Sequence, residues 1–276
     1  MKLSTSRIMS LVLLVVLAIA SGCGAVNGIR AKSELNDGAL AYRSGDYAQA
    51  QQHFERAIAL DPDQKNAPLF RARSIEQQSR GGNDAKAREA ITAYQDILKN
   101  DPNSEEAYNG IARMYRVLKD DKALREWVTM RANDNNAPIE KRALALTFLA
   151  SEKRKCSNDI TEKTENKQTV TKGNKTVIEF KKPKDPAEFE TAQRCVSEGL
   201  EFANRAISVD ANSEAAFAAK ANLLREASRL AEMEGDQAKK ADLDRQFEES
   251  NRRYEQLRDE NKRKKDAAAS PSPPTT

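Results

Sequence analysis

This chain has few of the residues that catalysis depends on. Its 276 residues include one histidine, His53, and three cysteines. No second histidine or suitable cysteine pair stands ready to share a metal with His53, which is expected to be a solvent-facing helix residue. No G-x-S-x-G, H-E-x-x-H or G-x-x-x-x-G-K-S/T run occurs. That removes the nucleophile elbow, the zinc-protease helix and the phosphate loop. The many Asp and Glu could supply a glycosidase pair, but helix surfaces rich in Glu and Lys are the default. The chain is therefore not expected to be an enzyme, to need a cofactor or metal, or to take a small-molecule substrate. Aromatics are also scarce, at 5%, while charged residues reach 32%. That balance disfavours a β-sandwich or an α/β enzyme and suits long, exposed amphipathic helices. Net charge is +4, falling to +2 if Lys2 and Arg7 are removed with a leader. Nothing there points to nucleic acid as a partner.

Long apolar runs are missing too, with one exception at the start. Lys2 and Arg7 precede "IMSLVLLVVLAIASG", a basic patch followed by an apolar core with small residues at its exit, the layout of a secretory signal. The exit "AIASGC" resembles a bacterial lipobox. That resemblance implies a signal peptide over 1–22, with Cys23 acylated as the new first residue. The alternatives are a membrane-spanning anchor, for which the run is near the lower length limit, and an ordinary export signal. One acyl chain binds a membrane marginally, and several make a stable anchor. Gly24, and no Asp, follows the cysteine. By resemblance to Gram-negative sorting, this favours an outer-membrane anchor facing the periplasm. Residues 23–30 would be a tether. At the other end "AAASPSPPTT" cannot build a core, so 267–276 are expected to be disordered.

Between these ends the chain repeats itself. "DPDQKNAPLFRARSIE" from Asp61, "DPNSEEAYNGIARMYR" from Asp101 and "DANSEAAFAAKANLLR" from Asp210 each begin with an acidic turn and open a helix. Asn103 and Glu106 have capping-box spacing. Ala50 with Phe54, Ala90 with Tyr94, and Ala123 with Trp127 recur on the partner helices. The opening hairpin, "YRSGDYAQAQQHFERAIALDP", carries Gly45, Tyr47, Ala50, Phe54, Ala57 and Pro62 in the best copy of the pattern. These residues resemble the tetratricopeptide (TPR) repeat, W-x2-LG-x2-Y followed by A-x3-F, A and P. The resemblance implies an all-α fold, an α-solenoid of about five TPR-like helix hairpins over residues 31–266. Gly38, Ala72, Ala112, Ala143 and Ala221 are the small residues of the five first helices. Small residues let antiparallel helices approach closely, and aromatics fill the gap to the next pair. Such a hairpin cannot bury its apolar face alone and needs stacked neighbours.

Residues 157–185 interrupt the helical pattern. "TVTKGNKTVIEF" alternates and turns at Gly173-Asn174, which predicts a β-hairpin with Val170 facing Val177. A lone hairpin is marginal, so it must lean on helices, be held by a disulfide, or pair with a partner's strand. Cys156 and Cys195 bracket it. In an exported chain a disulfide between them is the natural reading, with two buried thiols as the alternative. The bridge would close a loop of about 40 residues, worth ~4 kcal/mol in the chain-entropy model. After Glu214 the helices lengthen, and Leu243, Phe247, Tyr254 and Leu257 keep one stripe. They predict a long antiparallel C-terminal pair capping the stack, or a coiled-coil segment that dimerises.

In TPR proteins the first helices line a concave surface that holds a partner's segment. By that resemblance Tyr42, Arg43, Arg73, Arg113, Arg116, Asn222 and Arg225 lie on or near the inner face. Arginine's planar fork suits carboxylates, which points to acidic segments of other envelope proteins as partners. The alternative is that these arginines pair with nearby acids such as Glu76 and Glu226. The resulting reading is a membrane-anchored scaffold or adaptor in a bacterial envelope. Its rivals are an assembly factor for outer-membrane, pilus or secretion complexes, a periplasmic hydrolase with a helical body, and a self-associating structural protein.

Overall fold

The computed structural model describes residues 26–269. The expected signal peptide, Cys23 and residues 270–276 lie outside that range. Ten α-helices among the described residues form five consecutive hairpins, with one two-stranded sheet inserted. They are α1 (26–44) with α2 (Tyr47–Leu60), α3 (Ala67–Gln78) with α4 (Asp84–Asn100), and α5 (Glu105–Val117) with α6 (Asp121–Asn133). Then come α7 (Ile139–Thr161), strands β1 (Lys167–Lys172) and β2 (Lys175–Phe180), α8 (Pro186–Val209), and the pair α9 (Glu214–Glu234) and α10 (Gln237–Ala269). The fold is the expected all-α one of TPR-like hairpins, with a small β insertion and a long C-terminal pair. The described residues divide into two compact units, the first ending at Leu124 and the second starting at Arg125.

Two kinds of turn recur, and each follows from local sequence. Between one hairpin and the next, Asp61, Asp101 and Asp210 end α2, α4 and α8. Each aspartate amide bonds back four residues, to Ala57, Ile97 and Ala206, and each carbonyl accepts from the residue three further on, Gln64, Ser104 and Ser213, at 3.1 Å. Pro62 and Pro102 fit these turns because the positions need no amide hydrogen from them. Within hairpins a second turn recurs at Gly45-Asp46, Lys119-Asp120 and Gly235-Asp236. The aspartate amide reaches five residues back, to Ala41, Tyr115 and Ala231, a bond of the Schellman type that needs a left-handed residue before it. Gly45 (φ 86°), Lys119 (φ 54°) and Gly235 (φ 77°) supply that residue. The same aspartate then caps the next helix, its carboxylate accepting from Gln49, Ala123 or Lys239 at 2.9–3.0 Å.

In the first unit the core is a ladder of small residues against aromatics. Ala50, Phe54 and Ala57 form the buried face of α2. Gly38 of α1 lies so close to Phe54 that a Cβ there would stand 2.6 Å from the ring. Gly110 of α5 meets Tyr94 of α4 in the same way, at 2.4 Å. The small residues Ala72 and Ala112 are buried on α3 and α5 as expected.

In the second unit α7, α8 and α9 pack together, and α10 packs along α9. Ala143 and Ala221 are buried, and Gly199 of α8 makes a close approach to Leu223. One cluster gathers Phe189, Val196, Ala227 and Leu230, with Ile160 and Leu243 against it. A disulfide joins Cys156 on α7 to Cys195 on α8. The hairpin has the expected register, Val170 opposite Val177, with Gly173 at φ +61° in its turn. It leans on the helices. Fully buried Asn166 donates to the Ile160 carbonyl at 2.8 Å and accepts from the Lys181 amide at 2.8 Å. The Arg229 guanidinium of α9 sits 4.0 Å over the Phe180 ring.

Three boundaries and one helix cap differ from expectation. The helix α1 already includes 26–30, the greater part of the expected tether. The insertion is shorter than 157–185, because α7 continues to Thr161 and buries Ser157 and Thr161 completely. Residues 267–269, expected in the disordered tail, belong to α10, since three alanines favour helix. The capping box is not formed. Ser104, not Asn103, is the N-cap of α5, the Asn103 amide turns back to Asp101, and Glu106 bonds Arg73 instead.

Candidate functional site

The arginines expected to hold an acidic partner are engaged within the first unit. Arg113 on α5 donates two parallel bonds to Glu76 on α3, at 2.7 and 2.8 Å. The Tyr94 hydroxyl of α4 donates to the same carboxylate at 2.5 Å, so one carboxylate ties three helices together. Burial alone would raise the Glu76 carboxyl. Hydrogen bonds from Arg113 and Tyr94, with the charges of Arg113 and Arg73, outweigh it and hold the group below the ordinary carboxylate value. Burial and the bond to Glu76 push the Tyr94 phenol up. The bond to Glu76 does the same to Arg113. At this part of the expected acid-binding face Arg113 is paired within the chain, with Glu76. Its bidentate geometry and the third partner make it a poor candidate for exchange.

Arg73 differs. It donates one bond to Glu106 at 2.6 Å, and its guanidinium lies 5.9 Å over the Phe70 ring. The side chains of Arg73 and Glu106 are 36% and 56% exposed. A pair that open is worth about 0–1 kcal/mol, so an incoming carboxylate could replace Glu106 at small cost.

Beside this pair lies a cleft of about 650 Å³ between two successive Asp-Pro turns. One wall is the α2–α3 turn and the start of α3, with Pro62, Asp63, Lys65, Pro68 and Leu69. The other is the end of α4 and the α4–α5 turn, with Ile97, Asn100, Asp101, Ser104 and Glu106. The N-caps of α3 and α5, Asn66 and Ser104, make no side-chain capping bond. Prolines and aliphatics between polar rims give a surface suited to an extended chain segment. The cleft is not legible along any single helix face, because its walls are two turns brought together from different hairpins. The repeated Asp-Pro dipeptide that builds both walls was visible.

The remaining expected residues are placed as follows. Tyr42 packs edge-on against Tyr47, ring centroids 5.2 Å apart, and borders the Phe54 cluster. Arg43 folds back on the Ala39 carbonyl at 3.3 Å. Arg116 is in the last turn of α5, where its charge suits the helix dipole. Asn222 and Arg225 belong to the second unit. Asn222 is exposed, and the Arg225 guanidinium sits 4.6 Å over Phe247. Glu226 pairs with Arg229 at 3.2 Å, not with Arg225.

His53 is corrected. Its side chain is only 16% exposed. It stands 2.7 Å from Glu34 of α1, and Arg56 shares that carboxylate at 2.9 Å. Glu34 of α1 thus bridges His53 and Arg56, both on α2. No group of three or more His, Cys, Asp or Glu poised to hold a metal occurs among the described residues.

The second unit holds a buried polar cluster. Glu226 on α9 is 4% exposed. Asn158 of α7, its amide nitrogen turned toward Glu226, donates to both carboxylate oxygens at 2.7 and 2.9 Å and accepts from Arg154 at 2.9 Å. Burial raises the Glu226 carboxyl above its ordinary value, and the charges of Arg229 and Arg154 only partly offset it. The cluster joins α7 to α9.

Comparison with known proteins places the opening hairpin. Residues 38–64 match the tetratricopeptide repeat family. No curated protein sequence matches the chain. Solved structures similar to it include residues 41-end of MamA from Desulfovibrio magneticus RS-1. That chain is 12% identical, with a TM-score of 0.35, and the match covers 81% of this chain and 96% of the other. A tetratricopeptide repeat protein from Parabacteroides merdae is 13% identical, with a TM-score of 0.36 and coverage of 83% and 98%. The TPR2AB-domain:pHSP90-complex of yeast Sti1 gives 14%, 0.33, and coverage of 83% and 99%. At TM-scores this low, likeness of overall shape carries no argument. What identifies the opening hairpin is its own sequence together with the turns and close approaches above. The chain carries a tetratricopeptide repeat at residues 38–64, at the head of a series of helix hairpins.

Proposed function

We propose that this protein is a membrane-anchored scaffold of a bacterial envelope. Acyl chains on Cys23 would hold it to the membrane, and an extended segment of another envelope protein would lie in the cleft between the Asp-Pro turns. The observation that carries the binding reading is that cleft: about 650 Å³, lined by Pro62, Pro68, Leu69 and Ile97, with the exchangeable Arg73–Glu106 pair at its edge. A carboxylate on the partner would take Arg73 from Glu106, while Arg113 stays with Glu76. The anchoring reading rests on the sequence before residue 26, where a basic patch and apolar run end in "AIASGC". Assembly of an outer-membrane, pilus or secretion complex would be one use of such a scaffold.

The test is crosslinking in the native membrane followed by mass spectrometry, with Leu69→Glu and Arg73→Glu as separate variants. Leu69 lines the cleft and Arg73 pairs with Glu106 at its edge. Leu69→Glu leaves the charges around Glu76 in place, whereas Arg73→Glu also removes one of the charges that lower Glu76, so the two variants are read together. Loss of the same crosslinked partner in both variants, with helical content unchanged, is the expected result. Undiminished recovery in both would reject the cleft as the binding surface.

A further inference from the structure

The first helix is apolar on two opposite sides. Its inner side is explained by the fold: Ala31, Gly38 and Ala41 face α2, and Gly38 rests on the Phe54 ring. The outer side has no such explanation. Ile29 is 71% exposed, Leu40 59% and Val26 48%. At about 100° per residue, Val26, Ile29, Ser33, Asn36 and Leu40 fall on one stripe opposite the buried one. Exposed Arg30 borders it on one flank, and exposed Lys32 and Arg43 on the other. Asp37 is the acid beside it. Apolar residues along the middle with basic residues at both edges make the pattern of a helix lying in a membrane interface.

The chain before the helix selects the occupant. Only three residue steps separate Cys23 from Val26, and three residues span at most about 11 Å. If Cys23 is acylated, the first turn of α1 cannot leave the headgroup region. An exposed Ile29 one turn further on then meets lipid before it meets a protein. We propose that the outward face of α1 lies on the phospholipid headgroup layer, with Val26 and Ile29 inserted and Arg30 and Lys32 against anionic headgroups. This rests on the anchoring reading of Cys23. It adds that the repeat domain is held with its first helix against the membrane and does not swing on a tether. The helix beginning by residue 26 leaves little chain for a tether.

The test uses the full chain purified from its membrane and reconstituted in phosphatidylethanolamine–phosphatidylglycerol vesicles doped with brominated phosphatidylcholine. Trp127→Phe removes the native fluorophore. Ile29→Trp places a probe on the outward face, and Gln52→Trp places one on exposed α2 as control. Mass analysis of the N-terminal peptide reports acylation of Cys23 separately. The expected result is an acylated Cys23 with at least threefold stronger quenching at position 29 than at position 52. Acylation with equal quenching at the two positions overturns the interfacial face and leaves the anchor standing. Absence of acylation overturns the anchor. The face is then judged on the same chain mixed with the vesicles, where quenching at 29 alone supports it and none overturns it. Photocrosslinks between position 29 of two copies, without quenching, would overturn it in favour of self-association.

Discussion

Lys119 is the one described residue other than glycine with a positive φ, 54°. It occupies the place that Gly45 and Gly235 hold in the two matching turns. A side chain in the left-handed region costs roughly 1–2 kcal/mol against glycine's free access. The Asp120 amide nevertheless bonds Tyr115, and the Asp120 carboxylate caps α6 as its counterparts do, so the conformation is imposed by the turn. Lys119→Gly should therefore stabilise the protein by about 1 kcal/mol, partly offset by greater freedom of the unfolded chain. Thermal or urea unfolding of the two proteins measures it, and a variant no more stable than the parent would show that the turn imposes no strain. The same residue explains what sequence could show. Glycine at 45 and 235 marks two of these turns in the sequence, whereas the matching turn before "DKALREWV" carries lysine and gives no such signal. The Ala50–Phe54 and Ala90–Tyr94 spacings were legible because each depends on residues of one helix. The partners of Arg73 and Arg113 depend on which of many acids on neighbouring helices comes nearest, and spacing along one chain segment does not encode that.

At the scale of elements, the β-hairpin shows how a marginal piece is retained. Its register was readable from alternation and a Gly-Asn turn, but its support was not. That support comes from Asn166, from Phe180 under Arg229, and from the α7 extension that closes over Glu226. The Glu226 carboxyl is raised by burial. In the interval between its ordinary and its raised value the folded state binds more protons than the unfolded one, so stability falls as pH rises through that interval. Above it the full penalty of a buried carboxylate is carried. Glu226→Gln removes the titration and keeps an acceptor for Asn158. The variant should match the parent near pH 4, melt higher at pH 7.5, and show a flatter dependence between. Melting curves across that range decide it. A variant that melts lower than the parent at pH 7.5 would mean that Arg229 and Arg154 outweigh burial.

For the whole molecule the question is whether the long final helix serves assembly or the fold. Its stripe of Leu243, Phe247, Tyr254 and Leu257 would suit a coiled-coil dimer, but within the chain it is already used. Leu257 is 2% exposed, Leu243 packs on the Val196–Leu230 cluster, and Phe247 lies under Arg225. The Ser250 hydroxyl bonds the Phe217 carbonyl at 3.2 Å, Ser228 bonds Asp244, and Asn261 reaches Glu214 at 3.1 Å. The outer face of α10 is charged along its length, as the terminal element of a repeat array requires. Removing α10 should then uncover the apolar side of α9, with Ala227 and Leu230 exposed, and leave a core without its cover. Sedimentation of residues 24–276 away from lipid is expected to give a single monomeric species, and the same chain lacking 236–266 should aggregate or lose helicity. A parent that sediments as a dimer, and a shortened chain that stays folded as a monomer, would make α10 the self-association element instead.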